Sequence, residues 1–278
     1  MSLRIAHNVE AMNAHRNLGV TSDRLAVAMR RLSSGLRINS AADDAAGLGI
    51  SEKMRGQIRG LEQANRNVQD GMSLLQVMDG VLSEVTSILH RARDIAVQWN
   101  NGIYDFDDRM TMRAELFALS DEIGRIEQTT EFNGIKLLQD ASIAITLQIG
   151  ANNNEIMTVS LVDLMGGTVG NLVRLNTFFA LPFLDADIAG FDFHINDVSA
   201  ARARIGAAQN RLEHTLASNQ TYLENLTGAE SRIRDADMAV EISTLTRLQI
   251  LQQSGTMALL FANQTPRRIT DLLAPGGG

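Results

Sequence analysis

The sequence predicts a mainly α fold: a long antiparallel helical coiled-coil bundle, made of a terminal-helix pair and a rod domain, with a small β-hairpin. Three observations predict it. Leu61, Val68, Leu75, Leu82, Leu89 and Ala96 recur at every seventh position, and Ala64, Gly71, Met78, Val85, Ala92 and Trp99 follow three positions after each. That is the seam spacing of a coiled coil. The same spacing returns at Val198, Ile205, Leu212, Asn219, Leu226, Ile233 and Val240. Proline stands only at 182, 266 and 275, and aromatic residues make up 4% of the chain, a balance that favours long helices over a sandwich or a compact α/β enzyme.

Residues 3–36 form a first amphipathic helix, with Leu18, Leu25 and Leu32 seven apart and Arg16, Arg24, Arg30 and Arg31 on the opposite face. Gly35 is its expected stop. Ser40-Ala41-Ala42-Asp43 has capping-box spacing and predicts that the long rod starts near Ala41. The small residues Ala45-Ala46-Gly47-Leu48-Gly49 that follow fit either a close backbone approach or a weakly packed first turn. The rod ends at Asn100-Asn101-Gly102, a turn signal. The next helix, 105–128, carries Met112, Leu116, Leu119, Ile123 and Ile126 and folds back on the rod.

Past Phe132-Asn133-Gly134 the period becomes two. Ile143, Ile145, Leu147 and Ile149 alternate with smaller or polar residues. A Gly/Asn turn and the run Ile156–Leu161 then complete a β-hairpin near 143–161. Residues 163–195 have no period and read as a short variable insert containing the apolar cluster Phe178–Leu184. From Asp197 the second rod begins, with the polar Asn219 in its seam, where asparagines often set register. The last helix carries Ile242, Leu245, Leu248, Leu251, Leu259 and Ala262 and stops at Pro266.

The totals exclude several chemistries. There is no cysteine, hence no disulfide, thiol catalysis or Cys-ligated zinc. A net charge of −7 argues against nucleic acid. No apolar run of about 20 residues suggests a membrane span, and Met1–Asn8 lacks the apolar core of a signal peptide. The five histidines form no metal or catalytic motif, Asp105, Asp107 and Asp108 lack the glycine and distal Glu of a calcium loop, and Gly47-x-Gly49 is no phosphate loop. No catalytic residue, cofactor or metal is expected. What remains is helical surface. Terminal amphipathic helices of about 30 residues need partners in water, and identical copies stacked side by side through contacts that do not close would supply them as a helical filament.

The run Arg31-Leu32-Ser33-Ser34-Gly35-Leu36-Arg37-Ile38-Asn39-Ser40-Ala41-Ala42-Asp43-Asp44-Ala45-Ala46-Gly47 resembles the N-terminal signature of the bacterial flagellins. So do Ser51–Arg55, Gln69–Gly71, Thr130–Gly134, Gln148–Asn152, Ala229–Ala239 and Gln249–Gln253. The resemblance covers roughly residues 1–162 and 196–265. It implies a structural subunit that polymerises with copies of itself into the extracellular flagellar filament for motility. It implies a terminal-helix domain at 1–34 and 242–278 forming an inner tube, a connector at 35–46, and a rod domain at 47–162 and 196–241. The rod seam is then Leu61, Val68, Leu75, Leu82, Leu89, Val198, Ile205, Leu212, Leu226 and Ile233. Leu18, Leu25, Leu32, Leu248, Leu251 and Leu259 are the expected contacts between subunits. The family also implies a flagellar export chaperone, export through the type III apparatus without a cleaved signal, and hook-associated and cap proteins as further partners. A patch at 90–98 resembles the region read by the Toll-like receptor for flagellin, with Arg91, Ile95 and Glu115 as its contacts. Two rival readings are a hook–filament junction protein and a cell-surface adhesin that binds polysaccharide through residues 178–193.

Overall fold

A computed structural model describes residues 7–138, 144–160 and 188–273. They form five helices and two antiparallel strand pairs: α1 (Val9–Ser34), α2 (Ala45–Trp99), α3 (Phe106–Thr129), β1 (Glu131–Phe132), β2 (Ile135–Lys136), β3 (Ala144–Gln148), β4 (Ile156–Ser160), α4 (Ile188–Arg234) and α5 (Met238–Leu273). They divide into two compact units, 1–56 with 226–278, and 57–225. The boundaries fall inside α2 and α4, ten and sixteen residues into the segments expected to be rod. The physical reason is that the first turns of α2 and the last turns of α4 bond to the connector, as described below.

In the unit 57–225 the seam of α2 forms the floor of the core. Leu61, Val68, Leu75, Leu82 and Leu89 are all buried, as are Val198, Ile205 and Leu212 of α4 and Leu116, Ile123 and Ile126 of α3. Asp105 caps α3, accepting from Asp108 N at 2.9 Å, while Asp105 N donates back to the Asp108 carboxylate. The acids that could suggest a metal loop are a capping box.

The β3–β4 hairpin lies on this core, with Ala144 opposite Ser160 and Gln148 opposite Ile156. Met157 and Val159 are buried, and Ile145, Leu147 and Ile149 pack against the same cluster. Two asparagines clamp it. Asn67 of α2 donates to Gln148 O at 3.1 Å, and Asn219 of α4 donates to Ile149 O at 2.7 Å. The polar seam residue thus holds a sheet end. Beneath the hairpin α2 carries glycine. A Cβ at Gly71 would strike Leu147 Cδ1, and one at Gly60 would lie 2.9 Å from Ala151 Cβ.

Besides the start of α2, described below, three elements depart from the sequence reading. The last helix does not stop at Pro266: α5 runs on to Leu273, since a proline takes away one backbone donor and the turns on either side keep theirs. Glu131–Phe132 and Ile135–Lys136 pair as a tight hairpin around Asn133 and Gly134, both at positive φ, the conformation of a type I′ turn. And α4 starts at Ile188 rather than beyond 195. Phe191 is 2% exposed and packs with Ile95, Trp99 and Leu116, which anchors two turns that carry no heptad. The apolar stretch 178–193 is therefore partly core. Its residues 178–187, and the rest of the insert from 163, lie outside the described residues.

In the unit 1–56 with 226–278, α1 begins at Asn8, whose side chain accepts from Ala11 N, and ends at Gly35 in the left-handed region (φ 73°), donating to Arg31 O. Glycine takes that conformation without the strain a Cβ brings. The start of α2 is a correction. Ser40 and Asp43 do bond, with the Asp43 carboxylate accepting from Ser40 N, Ser40 Oγ and Asn39 N, but they shape a turn. Asp44, four residues after Ser40, caps the helix by accepting from Gly47 N at 2.9 Å. Replacing Asp44 by Ala should cost about 1 kcal/mol, the usual worth of an N-cap, read as faster amide exchange over residues 45–50 with exchange at 68–89 unchanged. Gly47 is buried, and a Cβ there would strike the Asp44 carboxylate and come within 2.8 Å of Ile38 Cδ1. Of the two readings of this small-residue stretch, the close approach is the one realised.

Candidate assembly interface

The helices α1 and α5 pack along one another, and their inner faces are the stripe that periodicity selects. Ala28, Leu248 and Ala262 are buried, while Leu18, Leu25, Leu32 and Leu259 are half-buried. Asn8 Nδ2 donates to Ala262 O at 2.8 Å, and Arg31 Nη1 meets Glu241 Oε1 at 3.1 Å. Opposite Leu18 stands Gly255, where a Cβ would lie 3.2 Å from Leu18 Cδ1. A groove of about 440 Å³ runs between the helices. Val27, Ala28, Leu248 and Leu251 form its apolar wall, and Arg31 and Glu241 its charged one.

The outer face of α5 is also apolar. Ile242, Ile250, Met257, Leu260 and Phe261 are each more than half exposed, Phe261 at 65%. At about 100° per residue they fall on the side opposite Leu248 and Ala262. From Met238 to Gln264 the helix carries only two charges, Glu241 and Arg247. Val9, Met12, Val20 and Met29 of α1 are exposed too. A helix apolar on two opposite faces is one that ends up covered on both, and within the unit α1 covers only one.

Below this pair, the turn after α1 and the turn before α5 are joined by backbone. Leu36 bridges Asp235, Arg37 N donates to Arg234 O at 2.7 Å, and Ala236 N donates to Gly35 O at 2.9 Å. Arg234 also reaches Glu52 of α2 at 2.6 Å. The Arg234 hydrogen bond holds the Glu52 carboxyl below the ordinary carboxylate range, and the Ser40 hydroxyl does the same for Asp43. Both stretches of sequence that stand out as signatures, 31–47 and 229–239, thus meet in one hydrogen-bonded junction.

Of the residues expected to touch other subunits, Leu18, Leu25, Leu32, Leu248 and Leu259 are turned to the partner helix of the same chain to differing degrees, and Leu251, 50% exposed, lines the groove. The exposed stripe of Ile250, Met257, Leu260 and Phe261 was missed, because a heptad search stops at the first apolar face it finds. At the other end of the seam, Leu226 is 9% exposed and Ile233 half-buried. The receptor patch needs correction. Arg91 and Glu115 are exposed and ion-paired at 2.7 Å, but Ile95 is completely buried among Trp99, Leu116 and Phe191 and presents nothing to a partner.

Seam-packed helices in one unit and, in the other, a helix pair with an exposed apolar face define a structural, helix-packing class of protein. Residues 5–142 match the bacterial flagellin N-terminal helical region, and residues 188–273 match the bacterial flagellin C-terminal helical region. A flagellin of Halalkalibacterium halodurans is 46% identical over 97% of this chain and 99% of its own length. A flagellar filament core protein of Treponema maltophilum is 41% identical over 97% and 99%. Among solved structures, a chain assigned as a flagellar hook-associated protein from Vibrio parahaemolyticus shares the fold, with a TM-score of 0.56 and 16% identity over 69% of this chain and all of that one. The chain belongs to the bacterial flagellin family and is a structural subunit of the flagellar filament.

Proposed function

We propose that this subunit joins the filament through α1 and α5, acting by assembly and not by catalysis. The observation that carries this reading is the second apolar face of α5, with Ile242, Ile250, Met257, Leu260 and Phe261 uncovered in the single chain. Burying a large apolar side chain is worth about 1.5–3 kcal/mol, so neighbouring copies that cover this stripe gain several such terms per contact. The unit 57–225 has its own filled core and needs no such contact to stay folded. Before assembly the same stripe calls for a cover, the role of a flagellar export chaperone on α5. Passage through the type III export apparatus suits terminal helices that gain their partners only outside. Hook-associated and cap proteins would meet the same helices at the filament's ends.

The test is a charge on the stripe. Phe261→Glu and Leu260→Glu should each leave the helical content and unfolding of the 57–225 unit unchanged and reduce sedimentable polymer at least tenfold. Normal filaments from either variant contradict the reading.

A further inference from the structure

Between pH 8 and 12 the side chains that change charge are cysteine, tyrosine and lysine, with ordinary pKa values of about 8.5, 10 and 10.4. This chain has no cysteine, two tyrosines and two lysines, so 23 of its 25 Lys and Arg residues are arginine, which keeps its charge beyond about pH 12. Across that range side chains add at most four negative charges to the formal −7.

The structure places those four groups outside both core clusters. Lys53 and Tyr222 are exposed and Tyr104 is half-buried in the turn after α2. Lys136 pairs with Glu131 at 2.8 Å across a two-residue turn and donates to Gln128 O. Arginine makes the other seven of the eight ion pairs among the described residues, and five of these tie one helix to another: the exposed Arg91–Glu115 pair of α2 and α3 and four more. Arg31 meets Glu241, with Asp23, Arg24 and Arg247 around the same groove. Arg93 meets Asp192 at 2.6 Å beside Asp94. Arg202 meets Asp79 at 2.8 Å. Arg234 meets Glu52, whose carboxylate Arg55 also approaches at 3.3 Å. Every group in these four clusters is a carboxylate or a guanidinium, and neither titrates between pH 8 and 11.

We infer that this filament is built to stay assembled in strongly alkaline surroundings, up to about pH 11, because its cations are almost all of the kind that does not discharge. In a helical polymer every added charge is repeated on each copy, and like charges on close neighbours repel. A lysine-rich subunit gains negative charge steeply near pH 10 and loses its inter-helix ion pairs at the same point. This one does neither.

The inference rests on the filament reading, and one experiment separates the two. Purified full-length chain is polymerised at pH 8, shifted to pH values up to 11, and scored by sedimentation and negative-stain microscopy. A variant with Arg31, Arg91, Arg93, Arg202 and Arg234 each replaced by Lys is treated alike. The parent should keep its sedimentable fraction within about a tenth to pH 11, while the variant polymerises at pH 8 and falls away with a midpoint near pH 10 to 10.5. Parent filaments that form at pH 8 and dissolve by pH 10 overturn the alkaline inference; a parent that forms none at pH 8 overturns the filament reading. A variant as resistant as the parent overturns the role given to arginine. If the variant fails to polymerise at all, urea unfolding of the monomers decides: the parent's midpoint should be level from pH 8 to 11 and the variant's should fall, and two level curves refute the proposal.

Discussion

A chain lacking residues 1–34 should form no filament at any concentration at which the intact chain polymerises, and yet keep the unit 57–225 folded. The reason lies in what α1 covers. It supplies the partner for the inner face of α5, where Leu248 and Ala262 are buried and Leu259 half-buried, and its Arg31 pairs with Glu241 of α5. Without it α5 has apolar residues open on both sides and no fixed direction, so the copies lose a defined surface to match. The core cluster of Val68, Leu75, Leu82, Leu89, Val198, Ile205 and Leu212 belongs to the other unit, 57–225. Circular dichroism should show the loss of about one helix, amide exchange should stay slow over residues 68–89, and microscopy should show no filaments. Normal filaments from the truncated chain would refute the assembly account.

The largest effect on stability is expected at Leu212. It is completely buried on α4 and packs in the same cluster as Leu75 and Met78 of α2. Its Cδ1 lies 3.4 Å from the place a Cβ on Gly71 would occupy. Leu212→Ala should cost about 3 kcal/mol, within the range for a buried leucine whose cavity cannot collapse. Collapse is prevented here because α4 is tied on both sides of the site, to the hairpin by Asn219 on Ile149 O and to α2 by Arg202 on Asp79. Gly71→Ala is the smaller change. Its Cβ meets the far end of Leu147, a flexible side chain that can yield, so about 1 kcal/mol is expected. Urea unfolding followed by helix signal separates the two: a midpoint for Leu212→Ala no lower than that of Gly71→Ala would contradict this ranking.

Periodicity made the seam legible because helix–helix packing writes a seven-residue repeat directly into sequence. Leu61 through Leu89 and Val198 through Leu212 are the residues at the centre of the core. Boundaries were less legible, since a cap depends on which carboxylate reaches which amide. Ser40 and Asp43 have the spacing of a box, yet the amide of Gly47 is taken by Asp44. The first two turns of α4 were invisible for another reason. They are fixed by Phe191, inserted beside Trp99, with Ile188 on the same cluster and Asp192 paired to Arg93, contacts that fall in no heptad. The Glu131–Lys136 hairpin could have been found from Asn133-Gly134, the strongest short-range hairpin pair. The interface was half legible. Leu18, Leu25, Leu32, Leu248 and Leu259 stand out as leucines in heptads, and the chain spends them in varying degree on its own helix pair. The outward Ile250, Met257 and Phe261 carry the surplus, and they show only when exposure is known. Ile95 illustrates the converse: resemblance to a surface patch says nothing of which way one residue in it turns.

The central claim is that the bare face of α5 becomes covered by other copies of the chain. The natural absence of cysteine allows it to be measured directly, with one thiol introduced as Met257→Cys, a position 58% exposed in the single chain. The thiol should react with a water-soluble maleimide freely in monomer and at least tenfold more slowly in assembled filament, returning to the monomer rate on depolymerisation. Equal rates in monomer and filament would contradict the account.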